Sequence, residues 1–410
     1  MKIINSCRIC GNRDLKHIFS LGNQVLTGVF PRSITETITT GPVDLVQCTG
    51  FGVCNLVQLK QSYELDEMYG DNYGYRSGLN PSMVDHLTSN IISICNLVSL
   101  KPKDLVIDIG SNDGTALLAY KQGIYSLVGI DPTAEKFKEF YPPTINLIAD
   151  YFSSAALKKL TKRKAKVITS FSMFYDLEDP VKFAKEVASV LDENGVWVFE
   201  QSYLPFMLKT NSFDTICHEH LEFYCLKQIK WICDHAELKI INIELNDVNG
   251  GSILITASKK NSTFKECKKR IENLIDHEKK MSIFDGIVFI KFKERVLKQK
   301  LIFLDFLNKA KQEKKLVGAL GASTKGNVLL QYYGITADLI FGIGEVNKDK
   351  FGRYTPGTYI PLISEDDLLL RRPDYLVVLP WHFKKFFVKS TKFKNMKLVF
   401  PLPEFEVVEL

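Results

Sequence analysis

Short apolar runs recur through the middle of the chain, separated by stretches in which apolar residues follow helical spacing. The runs lie at residues 105–107, 126–130, 146–149, 166–169 and 195–200. Apolar runs of this length that alternate with helical stretches predict a doubly wound parallel sheet covered by helices. Residues 238–246 and 250–258 follow with little between them, which predicts two antiparallel strands at the end of this sheet.

The pattern changes near residue 260. Residues 263–310 are rich in lysine and carry apolar residues at helical spacing, which predicts packed helices. Apolar runs at 315–320, 339–343 and 375–379 predict a second, smaller Rossmann-like sheet, so the fold class is α/β. The expected parts are an N-terminal module at residues 1–70, a cofactor-binding domain at 71–260 with a lid and lead-in helix at 71–100, a helical bridge at 261–312 and a C-terminal Rossmann-like domain at 313–410.

Composition and charge narrow the class of protein. Of 410 residues, 45% are hydrophobic and 24% are charged, as in an ordinary globular protein. The net charge of +6 is spread over many lysines, and apolar and neutral residues interrupt the most basic stretch, residues 259–270. This favours a solvated helix face over a nucleic-acid surface. Because the chain starts without an apolar signal-like run and lacks a window of ~18 apolar residues, we expect a cytoplasmic protein with no membrane contact.

Four of the nine cysteines are spaced like metal ligands. Cys7 and Cys10 form a C-x2-C knuckle, and Cys48 and Cys54 form a wider C-x5-C pair. Four thiolates make a closed tetrahedral zinc site, and a module of this size has too small a core to be firmly stable alone. We therefore expect structural zinc. The alternative is that Cys48 and Cys54 are ordinary buried residues.

The turn after the first strand of the sheet, VIDIGSNDGT at residues 106–115, predicts a cofactor site. Gly110 and Gly114 let backbone N–H groups approach a ligand closely. Asp131 ends the next strand, near the offset of about 20 residues at which an acid binds ribose hydroxyls. The pattern lacks the third glycine of a dinucleotide-binding turn, which favours S-adenosylmethionine over NAD. An ordinary βα turn is the alternative.

Other residues at the same edge of the sheet are expected to contact this cofactor. Asp150 ends the third strand and is a candidate for the adenine amino group, and Tyr151 and Phe152 are placed to pack on the ring. The loop after residue 169 is included because ligands bind at the carboxyl ends of parallel strands. The predicted cofactor set is Asp108, Gly110, Asn112, Gly114, Asp131, Pro132, Asp150, Tyr151, Phe152 and Ser172.

The segment DTICHEHLEFY at residues 214–224 places His218 and His220 on either side of Glu219. This spacing does not fit the H-E-x-x-H zinc motif. On a strand, residues two apart share a face, so both histidines can line a cleft, or one can act as a base that a carboxylate orients. A structural histidine is the alternative at each position.

Two further segments carry candidate substrate residues. Residues 63–80 are dense in tyrosine, glycine and asparagine, which predicts a loop that forms a lid or a substrate wall. GASTKGN at residues 321–327 follows an apolar strand and opens a helix, a composition suited to a phosphate, although the turn can also be purely structural. The candidates are Tyr73, Ser323, Lys325, Asn327, Glu345 and His382.

Several short sequence motifs, taken in order, resemble those of the zinc-containing sugar C-methyltransferases of deoxysugar pathways. The resemblance covers nearly the whole chain. The motifs are CRICGN with the later cysteines, NYGYRSG, DIGSNDGT, FEQSYLP, ICHEHLEFY, NGGS, GASTKGN and PWHFK. The resemblance implies an N-terminal zinc-binding module, a central class I methyltransferase domain that binds S-adenosylmethionine, a C-terminal Rossmann-like domain and a nucleotide-linked keto sugar as substrate.

The resemblance also implies roles for individual residues. His220 becomes the base that removes the proton beside the sugar ketone, with Glu219 as its helper and His218 beside them. Tyr75 is our first choice for the tyrosine of the N-terminal loop and Tyr73 the second. The family often has tyrosine where this chain has Cys217.

The expected reaction is methylation of a carbon, C3 beside a 4-keto group, by a monomer or weak homodimer that binds no nucleic acid. The chemistry is consistent, because an enolate carbon can attack a sulfonium methyl group in line. O- or N-methylation of a nucleotide sugar is the first alternative. A zinc-ribbon protein that binds RNA or acts as an adaptor is a more remote one.

Overall fold

The computed structural model describes residues 1–69 and 75–410. Within them the chain forms four β-sheets, distributed over an N-terminal module, a central domain and a C-terminal domain. This confirms the mixed α/β class that the sequence predicts. None of the described helices has both the length and the apolar composition needed to cross a membrane.

The N-terminal module is a small antiparallel β-structure. Its elements are β1 (Lys2–Ile3), β2 (Leu15–Val25), β3 (Thr40–Cys48), β4 (Val57–Leu59), β5 (Gln61–Ser62) and α1 (Leu65–Tyr69). β2, β3 and β4 form a sheet whose fourth strand, Glu222–Phe223, comes from the central domain, and β1 pairs with β5. The module therefore completes its sheet with residues that lie just after residues 218–220, which we call the two-histidine segment.

The central domain is a seven-stranded sheet between two layers of helices. Its elements are α2 (Pro81–Leu97), β6 (Leu105–Ile109), α3 (Thr115–Leu118), β7 (Ser126–Ile130), β8 (Ile145–Ile148), α4 (Ser154–Leu160), β9 (Ala165–Phe171), α5 (Pro180–Val190), β10 (Leu191–Ser202), α6 (Leu204–Lys209), β11 (Glu222–Phe223), α7 (Leu226–His235), β12 (Leu238–Asn246) and β13 (Ser252–Lys259). The strand order is β12-β13-β10-β9-β6-β7-β8, and β13 runs antiparallel to both neighbours. The predicted parallel sheet and its reversed pair are confirmed.

Local sequence explains why these elements form. All five residues of β6 are buried, as expected of a parallel strand that helices cover on both faces. α2 begins after Asn80, whose side chain accepts the Ser82 N–H, and Pro81 occupies its first turn, where the missing N–H is harmless. The apolar face of α2 packs on the sheet through Met83, Leu87, Ile91 and Ile94. In the sheet, β6 lies between β7 and β9. Because these three strands are parallel, the loops that follow them meet at one edge.

The C-terminal domain is a six-stranded sheet reached through two helices. The elements are α8 (Lys268–Lys280), α9 (Val288–Gln312), β14 (Val317–Leu320), α10 (Thr324–Tyr333), β15 (Ile343–Glu345), β16 (Leu362–Ser364), α11 (Glu365–Leu370), β17 (Tyr375–Val378), α12 (Lys384–Lys389), β18 (Lys397–Phe400) and β19 (Glu406–Glu409). The order is β16-β15-β14-β17-β18-β19, parallel except for β19. The strand expected at 339–343 starts later, because the carbonyl of Thr336 accepts the N–H groups of Leu339 and Ile340 in a turn.

The N-terminal module lies against the C-terminal domain through residues 25–31. Gln331 of α10 accepts the N–H of Val25 at 2.8 Å and donates to the carbonyl of Val25 at 3.1 Å. Asn327 of the same helix donates to the carbonyl of Thr27 at 2.7 Å. This part of the module also reaches the central domain, because the hydroxyl of Thr27 donates to the carboxylate of Glu219 at 3.4 Å.

Candidate active site

A cavity of about 280 Å³ opens where the loops after β6, β7 and β9 meet. Eight of the predicted cofactor residues line it, namely Asp108, Gly110, Asn112, Asp131, Pro132, Tyr151, Phe152 and Ser172. Ser111, Thr133, Phe171 and Met173, which the sequence did not single out, also belong to the wall. The structure thus gathers most of this set in one place.

Gly114 and Asp150 lie outside this wall. Gly114 has φ +77° at the start of α3, where a Cβ atom would stand 3.0 Å from the ring of Tyr141. Asp150 is exposed, and its carboxylate accepts the N–H of Tyr151 at 2.7 Å. Gly114 therefore shapes the turn. Asp150 forms a local bond at the surface and is not brought to the cavity.

Gly110 lets the wall close on the cavity. Its φ is +73°, and a Cβ atom there would lie 2.9 Å from Cγ of Met173, itself a wall residue. Both the backbone conformation and the space therefore require glycine.

Two buried carboxyls sit at the floor of the cavity. Asp131 accepts the N–H of Asn112 at 2.8 Å with one oxygen and the N–H of Thr133 at 2.7 Å with the other. The oxygen that accepts the N–H of Thr133 also accepts its hydroxyl at 2.5 Å, so these bonds fix the carboxylate and leave a lone pair for a ribose hydroxyl on the other oxygen. Burial raises the pKa of Asp108 to about 7, although Thr169 donates a hydrogen bond that lowers it.

The last part of the predicted lid, residues 75–80, is attached to the cofactor turn. Arg76 Nε lies 3.0 Å from the carboxylate of Asp113, and the N–H of Gly78 donates to that carboxylate at 2.9 Å. Tyr75 lines the cavity and is half exposed. Tyr73 lies outside the described residues.

His220 is held in one tautomer. Its Nδ1 lies 2.7 Å from the carbonyl of Thr215, so Nδ1 carries the proton and Nε2 keeps its lone pair. The ring packs on that of Tyr175 with centroids 4.3 Å apart. Burial, together with the nearby charge of Lys325, lowers the pKa of His220 to about 4. The imidazole is therefore a neutral base at physiological pH.

Glu219 is buried beside the N-terminal module. The hydroxyl of Thr27 donates to its carboxylate at 3.4 Å, and a Cβ atom on Gly28 would stand only 2.5 Å from its Oε1. Burial raises the pKa of Glu219, while hydrogen bonds from Cys217 and other neighbours lower it. The module thus forms one side of the Glu219 site.

Tyr175 and Asp176 connect these residues to the cofactor cavity. Neither His220 nor Glu219 belongs to the described wall. Asp176 does, and it accepts the hydroxyl of Tyr69 at 2.9 Å. Burial raises the pKa of Asp176 well above the ordinary value, and the charge of Glu219 raises it further. The two-histidine segment therefore stands directly behind the 173–178 part of the wall.

His218 is not brought to this site. Residues 216–221 are not a strand, since a 3-10 turn at Phe213–Thr215 precedes them and β11 starts only at Glu222. The predicted strand conformation is therefore wrong, and the two rings have different surroundings. His218 is fully buried with its ring at right angles to that of Tyr63, 4.7 Å away, and burial lowers its pKa to about 4.

Lys325 belongs to the C-terminal domain, and its charge acts on both His220 and His382. Lys325 donates to the carbonyl of Asn249, in the loop between β12 and β13. Burial lowers the pKa of Lys325, and the charge of Asp214 raises it. Burial also lowers the pKa of His382 well below its ordinary value, and Lys325 contributes to this. A partly buried positive charge, that of Lys325, thus lies between the central and C-terminal domains.

The other predicted substrate residues hold the second glycine turn together. Ser323 accepts the N–H of Gly326 at 3.1 Å and caps α10, while Asn327 is fully buried against the module. Glu345 accepts the N–H of Ala322 at 3.1 Å and pairs with Lys350 at 3.6 Å. Ser323 and Glu345 thus shape the turn beside Lys325.

Three residues that the sequence did not flag complete this region. Asp214 accepts the indole N–H of Trp381 at 2.7 Å, and Asp176 links the wall to Glu219. Asp214 lies in the segment 214–224 and Trp381 in the motif PWHFK, and these motifs were their only local signal. Asp176 lies in the loop after residue 169, which was included only because it follows a parallel strand.

The four predicted metal ligands meet. The sulfur atoms of Cys7, Cys10, Cys48 and Cys54 all lie within 4.8 Å of one another. Hydrogen bonds from the thiols of Cys48 and Cys54 lower the pKa of Cys7, whereas bonds to Cys48 and Cys7 raise that of Cys54. Four thiols so close ionise together only around a cation, and four sulfur ligands in this space fit tetrahedral zinc.

Three family models match successive parts of the chain. A zinc binding domain matches residues 7–69, a methyltransferase domain residues 86–243 and a C-methyltransferase C-terminal domain residues 247–403. Together they leave little of the chain unmatched.

Individual proteins are similar as well. The C-methyltransferase NovU of Streptomyces niveus is 25% identical over 412 residues, which covers 99% of this chain and 97% of NovU. An S-adenosylmethionine-dependent methyltransferase from Clostridium acetobutylicum matches 43% of this chain and 92% of its own, with 15% identity and a TM-score of 0.34. Magnesium protoporphyrin IX methyltransferase from Synechocystis, solved with S-adenosylmethionine, matches 43% of this chain and 78% of its own, with 15% identity and a TM-score of 0.31.

Proposed function

Because the chain belongs to the zinc-containing, S-adenosylmethionine-dependent C-methyltransferases, we propose that it methylates a carbon of a nucleotide-linked keto-deoxysugar. In this proposal the carbon is C3, beside a 4-keto group. The observation that carries the proposal is the state of His220. Its ring is neutral, its Nδ1 is occupied by the carbonyl of Thr215, and it packs against the segment that lines the cofactor cavity.

A neutral imidazole is the group that this chemistry requires. A C–H bond beside a ketone loses its proton when a base reaches it and when the charge that develops on the ketone oxygen is stabilised. In the proposal, His220 Nε2 takes the proton. Glu219, a buried carboxyl with a raised pKa, assists by hydrogen bonding to the sugar. The positive charge of Lys325 near His220 favours an anionic intermediate in the same space.

The cofactor side of the reaction uses the cavity wall. S-adenosylmethionine supplies an electrophilic methyl group to the enolate carbon. We assign Asp131 to the ribose hydroxyls, since hydrogen bonds from Asn112 and Thr133 already orient its carboxylate. Tyr151 and Phe152 would pack on the adenine ring. Positioning two bound reactants in this way can lower a barrier by ~7 kcal/mol or more.

The nucleotide sugar is proposed to lie between the central and C-terminal domains. The charge of Lys325 acts there on both His220 and His382, and Ser323 begins the helix that carries Lys325. Tyr75 lines the cofactor cavity. Cys217, where the family often has tyrosine, is fully buried beside Glu219, so this difference affects contacts around the sugar and leaves the base in place.

The test is product formation from purified zinc-loaded protein, S-adenosylmethionine and a panel of nucleotide-linked 4-keto-deoxysugars. We expect a mass gain of one methylene unit and an NMR signal for a methyl group on carbon. A methoxy or N-methyl signal would instead show O- or N-methylation, and no product with any keto sugar would contradict the proposal.

A matched pair of variants separates the base from histidines in general. His220→Asn should abolish turnover, whereas His17→Asn, at a site with 58% side-chain exposure, should leave it unchanged. Both variants should bind S-adenosylhomocysteine like the wild type. Full turnover in His220→Asn would show that His220 is not the base.

A further inference from the structure

One arginine connects the cysteine knuckle to the two-histidine segment. Arg8 stands between the ligands Cys7 and Cys10, and its side chain is only 2% exposed. Inside the module, Nη1 donates to the carbonyl of Leu59 at 2.6 Å and Nη2 donates to the hydroxyl of Ser62 at 2.8 Å. The knuckle therefore holds this guanidinium over the ends of β4 and β5.

The remaining nitrogen of Arg8 lies near two acids of the central domain. Nε is 3.7 Å from Oε1 of Glu222 and 3.4 Å from Oε2 of Glu178. The side chain of Glu222 is fully buried, and within the described part of the chain neither of its oxygens accepts a hydrogen bond. A buried carboxylate in this situation depends on a nearby opposite charge. Arg8 supplies that charge: burial raises the pKa of Glu222 well above its ordinary value, and the guanidinium of Arg8 lowers it.

Glu222 belongs to the element that fixes His220. It lies two residues after the histidine and opens β11, where it stands opposite Gln58 of β4. One residue earlier, the carbonyl of Leu221 accepts the N–H of Leu59, and its own N–H donates to the carbonyl of Tyr175, both at 2.8 Å. The position of the histidine segment is thus set on one side by the module and on the other by the cavity wall.

From this geometry we propose that Arg8 is a positioning residue, through which the folded knuckle sets the place of Glu219 and His220. The metal contributes by holding Cys7 and Cys10 around Arg8, far from the reaction itself. The activity part of this inference rests on the proposed function, whereas the structural part does not. Because a displacement of about 1 Å at a reacting group can cost about 100-fold in rate, a loose β11 should slow catalysis.

The test compares Arg8→Met with Arg13→Met, a substitution at an exposed arginine of the same module. We expect both variants to keep one zinc per chain and an unchanged calorimetric affinity for S-adenosylhomocysteine. Amide hydrogen exchange over residues 216–224 should be faster in Arg8→Met alone. With substrate, kcat should fall roughly 10- to 100-fold in that variant with little change in KM.

Removal of the buried acid provides the second arm. The double variant Arg8→Met/Glu222→Gln should recover part of the lost kcat, because no unpaired carboxylate remains. If Arg8→Met does not fold, Glu222→Gln alone must show faster exchange over 216–224. Unchanged exchange in whichever variant folds with zinc bound would overturn the inference. Failure of the proposed function would appear separately, as wild-type protein that transfers no methyl group to keto sugars.

Discussion

Gly28 offers the sharpest test of the site around Glu219. The substitution Gly28→Ala adds one methyl group where the nearest atom is Oε1 of Glu219, at 2.5 Å from the new Cβ. Ordinary contacts of a Cβ atom begin near 3.4 Å, so the carboxylate must move by about 0.9 Å. The backbone of Gly28 does not lie in the left-handed region, so alanine itself introduces no strain there.

The size of the expected effect follows from this displacement. A shift close to 1 Å in a group that contacts the reacting centre costs about 100-fold in rate, which corresponds to about 2.7 kcal/mol of barrier. Overpacking in a buried place costs about 1–3 kcal/mol of folding stability, so the protein should remain folded at room temperature. The loss should therefore appear in kcat.

The assay is steady-state methyl transfer together with calorimetric binding of S-adenosylhomocysteine. Gly342→Ala is the matched control, because a Cβ atom there has its nearest neighbours at 3.6 Å and requires no movement. We expect the control to behave like the wild type and Gly28→Ala to bind the cofactor product normally. A folded Gly28→Ala enzyme with wild-type kcat would show that the carboxylate at 219 takes no part in the reaction.

Three further substitutions test the cofactor, metal and substrate sites. Asp131→Asn should weaken the binding of S-adenosylhomocysteine on the order of 10-fold or more in calorimetry, because the substitution removes a charged acceptor. Asp150→Asn, at an exposed position, should leave this affinity unchanged. Cys48→Ser should lower the zinc content below one per chain and reduce Tm, whereas Cys95→Ser, outside the cluster, should change neither. Equal zinc content in the two variants would contradict the assigned ligands. Lys325→Met should move the acid limb of kcat upward from about pH 4, since the lysine charge lowers the pKa of His220, and an unmoved limb would refute that coupling.

The parts of the molecule that the sequence predicted well depend on short stretches of chain. The cofactor turn is a strand, a tight turn and a helix start within residues 105–118, so its shape follows from local propensities and glycine. The four cysteines were recognised because two pairs of closely spaced thiols fit zinc geometry. The reversed strand pair at 238–259 was visible from its apolar runs.

The misplaced parts depend on contacts between distant segments. On a strand, His218 and His220 would share one face. The preceding 3-10 turn and the packing of His218 on Tyr63 prevent that alternation of side chains. Asp150, a candidate because it ends the third strand, is exposed beside the wall residue Tyr151, and its role at the adenine amino group stays a prediction. Side chains alternate between two faces only where a ladder of hydrogen bonds holds the segment as a strand.

Tyr69 belongs to the stretch 63–80 that predicted a lid or substrate wall, but its partner and those of other site residues had no local signal. Thr27 reaches Glu219 across 192 positions and Tyr69 reaches Asp176 across 107. Their roles arise from how the module packs between the other two domains. Such contacts are fixed by tertiary structure, and neither composition nor spacing reports them.

The central claim is that His220 removes a proton from the carbon beside a ketone, and solvent exchange measures this step directly. The zinc-loaded protein is incubated in heavy water with a nucleotide-linked 4-keto-deoxysugar and S-adenosylhomocysteine, and NMR follows the C3 proton. Wild-type protein should replace this proton by deuterium, and His220→Asn should not. Exchange at an equal rate in both proteins would contradict the central claim.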